Sequence, residues 1–105
     1  MELKDTIKMM QSDDYKERFV AEYQQTKIRY EKLKAFNTKI EASHRTGGNY
    51  EPHYRLNPCG SVNDHKIVEM PKHDCPDDVL REQQNVMEQY LHILEVRAEI
   101  EGIVL

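Results

Sequence analysis

Two long stretches, Ser12–Ser43 and Pro76–Glu101, carry apolar residues at heptad spacing, and His44–Cys75 separates them with 32 residues of different character. Helices joined by a turn need only a few connecting residues, and a long structureless loop in a compact domain is uncommon unless it is functional or disordered. The middle holds four of the five His, both Cys, three of the four Gly and three of the four Pro. The two arms therefore set the fold, and the middle is where a specific activity belongs.

In the first arm Phe19, Tyr23, Thr26, Tyr30, Leu33, Asn37 and Ile40 alternate steps of four and three, the spacing of a coiled-coil seam. Ser12 followed by Asp13 and Asp14 reads as its start, a hydroxyl cap with carboxylates at the positive end of the helix dipole. A second stripe, Ala21, Ile28, Ala35 and Ala42, recurs every seven residues on roughly the opposite face. In the second arm Pro76-Asp77-Asp78 is a start signal, with Pro expected at the first helical position. Leu80, Gln84, Met87, Leu91, Leu94 and Ala98 then form a matching seam, widened by Val79, Val86, Tyr90, Ile93 and Ile100. Gly47-Gly48 and Gly102 supply the helix stops. Upstream, Leu3, Ile7 and Met10 predict a short amphipathic helix within residues 1–11. Within the connector, Tyr54–Leu56 and Lys66–Met70 are candidates for a small β-hairpin around Asn57–Gly60. The expected fold is one mostly all-α domain: a short N-terminal helix (1–11), a first arm (12–43), an irregular connector (44–75), an antiparallel second arm (76–102) and an apolar tail (103–105) that should dock on something.

Such a hairpin has little to bury. Leu, Ile, Val and Phe number 23 of 105 residues, and there is no Trp. Long helices with a thin core gain most by packing on copies of themselves, so a homo-oligomer is expected. The net charge of −4 is unevenly spread: residues 12–42 carry seven Lys/Arg against six Asp/Glu, and residues 76–105 carry two against seven. A mildly basic arm beside an acidic one favours antiparallel docking, and the lack of a basic stripe argues against a DNA or RNA polymer as partner. No apolar run reaches the ~20 residues of a membrane span, and no signal-peptide core is visible, so no membrane partner and a cytoplasmic location are expected.

Catalytic chemistry finds no motif here. His53, Cys59, His65, His73 and Cys75 are zinc-capable, but Cys59-x5-His65 and His73-x-Cys75 match no common ligand pair, and no metal or other cofactor is expected. Neither Cys sits in a nucleophile motif, and Gly47-Gly48 follows a helix and lacks the Lys-Ser/Thr of a phosphate loop. What the connector does offer is Arg45, Tyr50, His53, Tyr54, Arg55 and Lys66, cations among aromatics. Arg forks grip phosphates and Tyr rings stack on bases, the chemistry of a small phosphorylated, base-containing ligand; solvated loop residues would look the same. Arg97, beside the apolar face of the second arm, should pair with a first-arm carboxylate such as Glu22.

Two blocks carry a resemblance. Asp13-Asp14-Tyr15-Lys16-Glu17-Arg18-Phe19, through Glu22-Tyr23 to Lys27–Leu33, resembles the start of small helical-hairpin proteins of crAss-like and related phages and prophages. Cys75-Pro76, then Leu80, Gln84, Met87, Tyr90-Leu91, Leu94 and Arg97–Ile103, resembles their second half. Thr26 stands where Leu is expected, and the connector is longer than the short one usual there, so the resemblance assigns the connector no role. More distantly, the architecture is similar to that of the phage hairpin sponges that counter CBASS and Thoeris defences. The resemblance implies a non-enzymatic, homo-oligomeric anti-defence protein in the cytoplasm of an infected bacterium. It would bind a cyclic or ADP-ribose-type nucleotide signal; the connector's own side-chain chemistry, not the resemblance, would then put Arg45, Arg55 and Lys66 on phosphates, Tyr50 and Tyr54 on bases, and His53 as a hydrogen-bond donor. The alternative, from another class, is a helical scaffold whose faces bind a host or phage protein.

Overall fold

A computed structural model describes residues 1–47 and 67–105. A 3-10 turn, Leu3–Thr6, runs straight into α1 (Ile7–Met10); two long helices follow, α2 (Tyr15–Thr46) and α3 (Asp77–Glu101). The described residues contain no strand. Tyr54–Leu56, one half of the expected β-hairpin, lies outside the described residues, and Ile67–Met70 in the other half is irregular.

The arms start and stop close to, but not at, the expected residues. The N-cap of α2 is Asp14, whose carboxylate accepts from the Lys16 N–H at 3.0 Å, while Ser12 sits two residues earlier and its hydroxyl accepts from the Asp14 N–H. Of the two acids expected in the first turn, the second is the cap itself. At the far end α2 runs on through His44, Arg45 and Thr46, and Gly47 terminates it in the left-handed region at φ 79°. Arg45 therefore stands on a helix rather than in the connector. Pro76 occupies the N-cap of α3, one place before the position expected of it.

Gly102 ends α3 at φ 71°, and the Ile103 N–H reaches back to the Ala98 carbonyl at 2.8 Å. This six-to-one bond is the Schellman closure, which brings the residue after the glycine over the last turn. Ile103 is accordingly buried beside Ala98, so the tail docks by one residue, while Val104 stays 89% exposed.

α2 and α3 are antiparallel, as their side-chain bonds show: Tyr15 reaches Glu101, Tyr23 reaches Glu95, and Asn37 reaches Gln84 and the Leu80 carbonyl. The core gathers at one end, where Phe19, Tyr23, Leu91, Leu94, Ala98 and Ile103 pack together. Further along, the expected seam thins: Thr26, Tyr30, Leu33, Leu80, Gln84 and Met87 are only half-buried. Asn37 is buried, with its amide nitrogen bonded across the seam and its Oδ1 without a partner. The chain measures 61 × 25 × 23 Å with a radius of gyration of 19.3 Å, against about 13 Å for a compact domain of this length. A rod of this kind leaves much of its helical surface uncovered.

The N-terminal segment packs on α2, but not by the face expected. Ile7 and Met10 are 56% and 40% exposed, and the fully buried residue is Thr6. Its hydroxyl donates to the Leu3 carbonyl and accepts from Gln25 Nε2 at 2.8 Å. Ala21, one turn before Gln25 on α2, is also fully buried. Its place on the small-residue stripe fits the close approach of another backbone, here one supplied by the same chain.

Arg97 is also held differently from expectation. It pairs with Glu101 on its own helix at 3.2 Å, donates to the Tyr15 hydroxyl at 2.6 Å, and lies over the Phe19 ring. Glu22 is taken instead by the Tyr90 hydroxyl. Burial, the hydrogen bond to Glu95 and its charge push the Tyr23 phenol up to about 12. A raised phenol favours the folded state while protonated, so this contribution is complete below about pH 10 and is lost as the pH rises toward 12. Thermal unfolding followed between pH 9 and about pH 12 should show a steeper fall in Tm for the native chain than for Tyr23→Phe; parallel curves would contradict it.

Candidate functional site

The connector leaves α2 at Gly47 and returns at Ile67, and a hydrogen bond from the Val68 N–H to the Thr46 hydroxyl at 2.9 Å ties the two ends together. Just below this junction one carboxylate collects two imidazoles. Asp77, the first residue of α3, accepts from His73 Nε2 at 2.6 Å and meets His44 Nε2 at 3.0 Å. The other ring nitrogen of His73 faces the Pro71 carbonyl at 2.7 Å, and its ring stands edge-on to Phe36. This triad fastens the end of α2 and the returning chain to the start of α3.

The charges reinforce one another. The Pro71 carbonyl and Asp77 raise the His73 imidazole above its ordinary value, while hydrogen bonds from His44 and His73 lower the Asp77 carboxyl below its own. The His73 contribution is complete below the ordinary imidazole range and fades as the pH climbs through the raised value. The Asp77 contribution is complete above the ordinary carboxylate range and fades as the pH falls through the lowered one. Both act together from roughly pH 4 to 6.5. His73→Ala should therefore lower Tm most in that window, with the gap to the native chain closing at alkaline pH; a gap that is constant with pH would contradict the assignment.

Beside the triad opens a cavity of about 310 Å³ lined by Asn37, Ile40, Glu41, His44, Arg45, Asp77 and Arg81. A second cavity shares Asn37, Glu41 and Arg81 with it and adds Asn85, which in turn borders a larger open cavity of about 740 Å³ floored by Tyr23, Tyr30 and Leu91. One face of the hairpin thus carries a polar groove that runs from the core end to the connector. Its character changes along the way. The central part is acidic, with Glu31, Glu88 and Glu95 against Lys27.

The connector end is different, because its carboxylates are spoken for. Asp77 is matched by two imidazoles, and Glu41 by Arg45 at 3.0 Å. Arg81 has no ion-pair partner among the described residues. The Arg45–Glu41 pair is highly exposed, and such pairs contribute only about 0–1 kcal/mol, so Arg45 is readily redirected to a stronger acceptor. Two guanidiniums at one mouth can grip a phosphate from two sides.

Of the six residues singled out in the sequence, Arg45 lies at this mouth, and Tyr50, His53, Tyr54, Arg55 and Lys66 lie outside the described residues. Sequence reasoning missed Arg81 and the pairing of His44 and His73 through Asp77. A signal for Arg81 existed: α3 holds only two cations, both in an otherwise acidic arm. Among the described residues no group of three His, Cys, Asp or Glu could hold a metal ion, and Cys75 is a free thiol. Cys59, His53 and His65 lie outside the described residues. No helix among the described residues is long and apolar enough to cross a membrane.

A family model described as Sequestin matches residues 13–57 and 63–100. No curated protein and no solved structure matches the chain. The family match runs through most of the connector as well as both arms, leaving a break only at 58–62. The connector, to which the resemblance assigned no role, thus lies largely within the matched ranges, and so do all six candidate ligand residues.

Proposed function

The chain belongs to the Sequestin family, and on that premise we propose that it captures a small nucleotide signal and withholds it, without degrading it, as a homo-oligomer in the cytoplasm of a phage-infected bacterium. The family description supports sequestration of a molecule. The resemblance to phage hairpin proteins supports the setting and the class of ligand, a cyclic or ADP-ribose-type nucleotide. The observation that carries the reading is the connector end of the groove, where Arg45 and Arg81 line one cavity beside Asp77, a carboxylate already matched by two imidazoles.

In this reading the two guanidiniums take the phosphates. Arg55 and Lys66 add further cations, Tyr50 and Tyr54 stack on bases, and His53 donates a hydrogen bond to the ligand. A hairpin this thin cannot enclose a ligand alone, so neighbouring subunits complete each pocket. Binding without turnover needs no nucleophile and no metal, which accords with the lack of a catalytic motif in the sequence.

Calorimetry against cyclic dinucleotides, cyclic trinucleotides and cyclic ADP-ribose isomers tests the proposal: saturable binding of one class is expected, and no heat with any of them removes it. Heating the complex and identifying the released nucleotide by mass separates a sponge from an enzyme, since a sponge returns its ligand intact. The scaffold alternative has one observation in its favour, a long uncovered apolar face on α3, and that face has a more specific explanation.

A further inference from the structure

Val79, Val86, Ile93 and Ile100 recur every seven residues along α3 and are 47%, 57%, 54% and 78% exposed. Each lies one residue before a position of the expected α2-facing register (80, 87, 94, 101), about 100° round the helix. The hairpin therefore leaves a second stripe free. From Val79 to Ile100 this stripe is about 32 Å long, and it has the regular spacing of a helix–helix seam rather than the scatter of ordinary surface residues.

The charges avoid it. Gln83, Gln89 and Tyr90 flank its middle, and Glu82 and Arg97 lie near its opposite ends. Glu88 and Glu95 turn the other way and line the polar groove. A strongly acidic helix has thus kept nearly all its carboxylates off this one strip, the arrangement needed if a second acidic helix is to lie against it.

We propose that the stripe is the dimer interface: the α3 of a second copy packs on it antiparallel, about a two-fold axis near Gln89 and Tyr90. This deepens the homo-oligomeric part of the proposed function and rests on it. Three arguments select that occupant. The stripe is the longest regular apolar strip among the exposed described residues, so the complement of matching length and spacing is a second copy of itself. A two-fold contact closes on itself, whereas packing the stripe on a different face would leave open ends. Antiparallel alignment lays the Glu82 end of each α3 against the Arg97 end of the other, while parallel alignment would crowd Asp78 and Glu82 against their copies. Ile93 also reaches the rim of the central groove, so a subunit seated there walls that groove.

The full-length chain should sediment as a dimer at tens of micromolar. Ile93→Glu and, separately, Val86→Glu should each convert it to a monomer of unchanged helix content, because both side chains are exposed in the single chain. Glu88→Lys, on the groove side, should leave the dimer intact. With Cys59 and Cys75 replaced by Ser, a Val79→Cys chain mixed with an Ile100→Cys chain should cross-link through a short bismaleimide, which adds one thiol at each end, and neither chain should do so alone. A monomeric native chain, a dimer indifferent to both glutamates, or cross-linking of Val79→Cys with itself would overturn the interface. Nucleotide calorimetry on the same samples separates the two proposals. A monomer that binds nucleotide sinks the interface alone; an α3-linked dimer that binds none sinks the sponge alone.

Discussion

Leu94→Ala is expected to lower the unfolding free energy by about 2–5 kcal/mol and Tm by on the order of 10–30 °C. Leu94 is the one large apolar side chain among the described residues with no exposed surface, and it sits among Phe19, Tyr23, Leu91, Ala98 and Ile103. The loss should fall toward the upper part of that range, because little can collapse into the gap. Phe19 is held from outside by Arg97, Tyr23 is tied to Glu95, and Ile103 is pinned by its backbone bond to Ala98. Nor can the rest of the hairpin compensate, since the seam beyond this cluster is half-buried apart from Asn37 and Ile40. Val104→Ala, at 89% exposure, should change Tm by little and serves as the control. Thermal unfolding followed by circular dichroism checks both; a Leu94→Ala chain that melts within a few degrees of the native one would mean the core lies elsewhere.

That cluster also shows what periodicity can and cannot give. Phe19, Tyr23, Leu91, Leu94 and Ala98 were legible as seam residues because alternate steps of four and three keep a side chain on one side of a helix. The same rule placed Leu80, Met87 and Leu94 on the seam but read Val79, Val86, Ile93 and Ile100 as a widening of it, whereas the packed hairpin leaves that second stripe exposed. Which stripe meets α2 depends on the partner helix, and only the packed structure resolves it. Thr6 went unnoticed for a related reason. It is buried where the N-terminal segment packs on α2, bonded to Gln25 19 residues away, and such a contact leaves no local pattern.

Polar constellations were harder still. Asn37 and Gln84 were each visible as polar interruptions of a seam, but their pairing needs the register of the two helices. His73 and Asp77 lie four residues apart, but His44 is 33 residues from Asp77 and joins them only because the connector returns beside the end of α2. His73 was weighed as a zinc ligand on its neighbours in sequence, whereas its partners are a carbonyl two residues back and a carboxylate four residues on. Arg45 was found as a loop cation and proves to be a helical one, held at a fixed position by the last turn of α2. That matters for binding: a guanidinium on a rigid element loses less freedom when it engages a ligand than one on a loop.

Arg45→Glu combined with Arg81→Glu is expected to weaken nucleotide binding by roughly 10²–10⁴-fold, because a hydrogen bond to a charged group contributes about 1.5–3 kcal/mol and two such groups are lost together. Reversing the sign also sets two carboxylates beside Glu41 at the cavity mouth, so phosphate repulsion adds to the lost attraction. The fold should survive, since both side chains are exposed and the one ion pair broken, Arg45 with Glu41, stabilises little. Lys32→Glu with Lys39→Glu makes the same change in net charge at two exposed positions of α2 that line none of these cavities. If binding is set by the two guanidiniums themselves, that control should lose only a few-fold, and its loss should vanish with added salt. If the field of the whole molecule were responsible, both double variants would lose affinity alike, and the connector end of the groove would hold no privileged site. Calorimetry at two salt concentrations with the best-binding nucleotide of the panel distinguishes these outcomes, and equal affinity for the native and Arg45/Arg81 chains would remove the assigned phosphate grip.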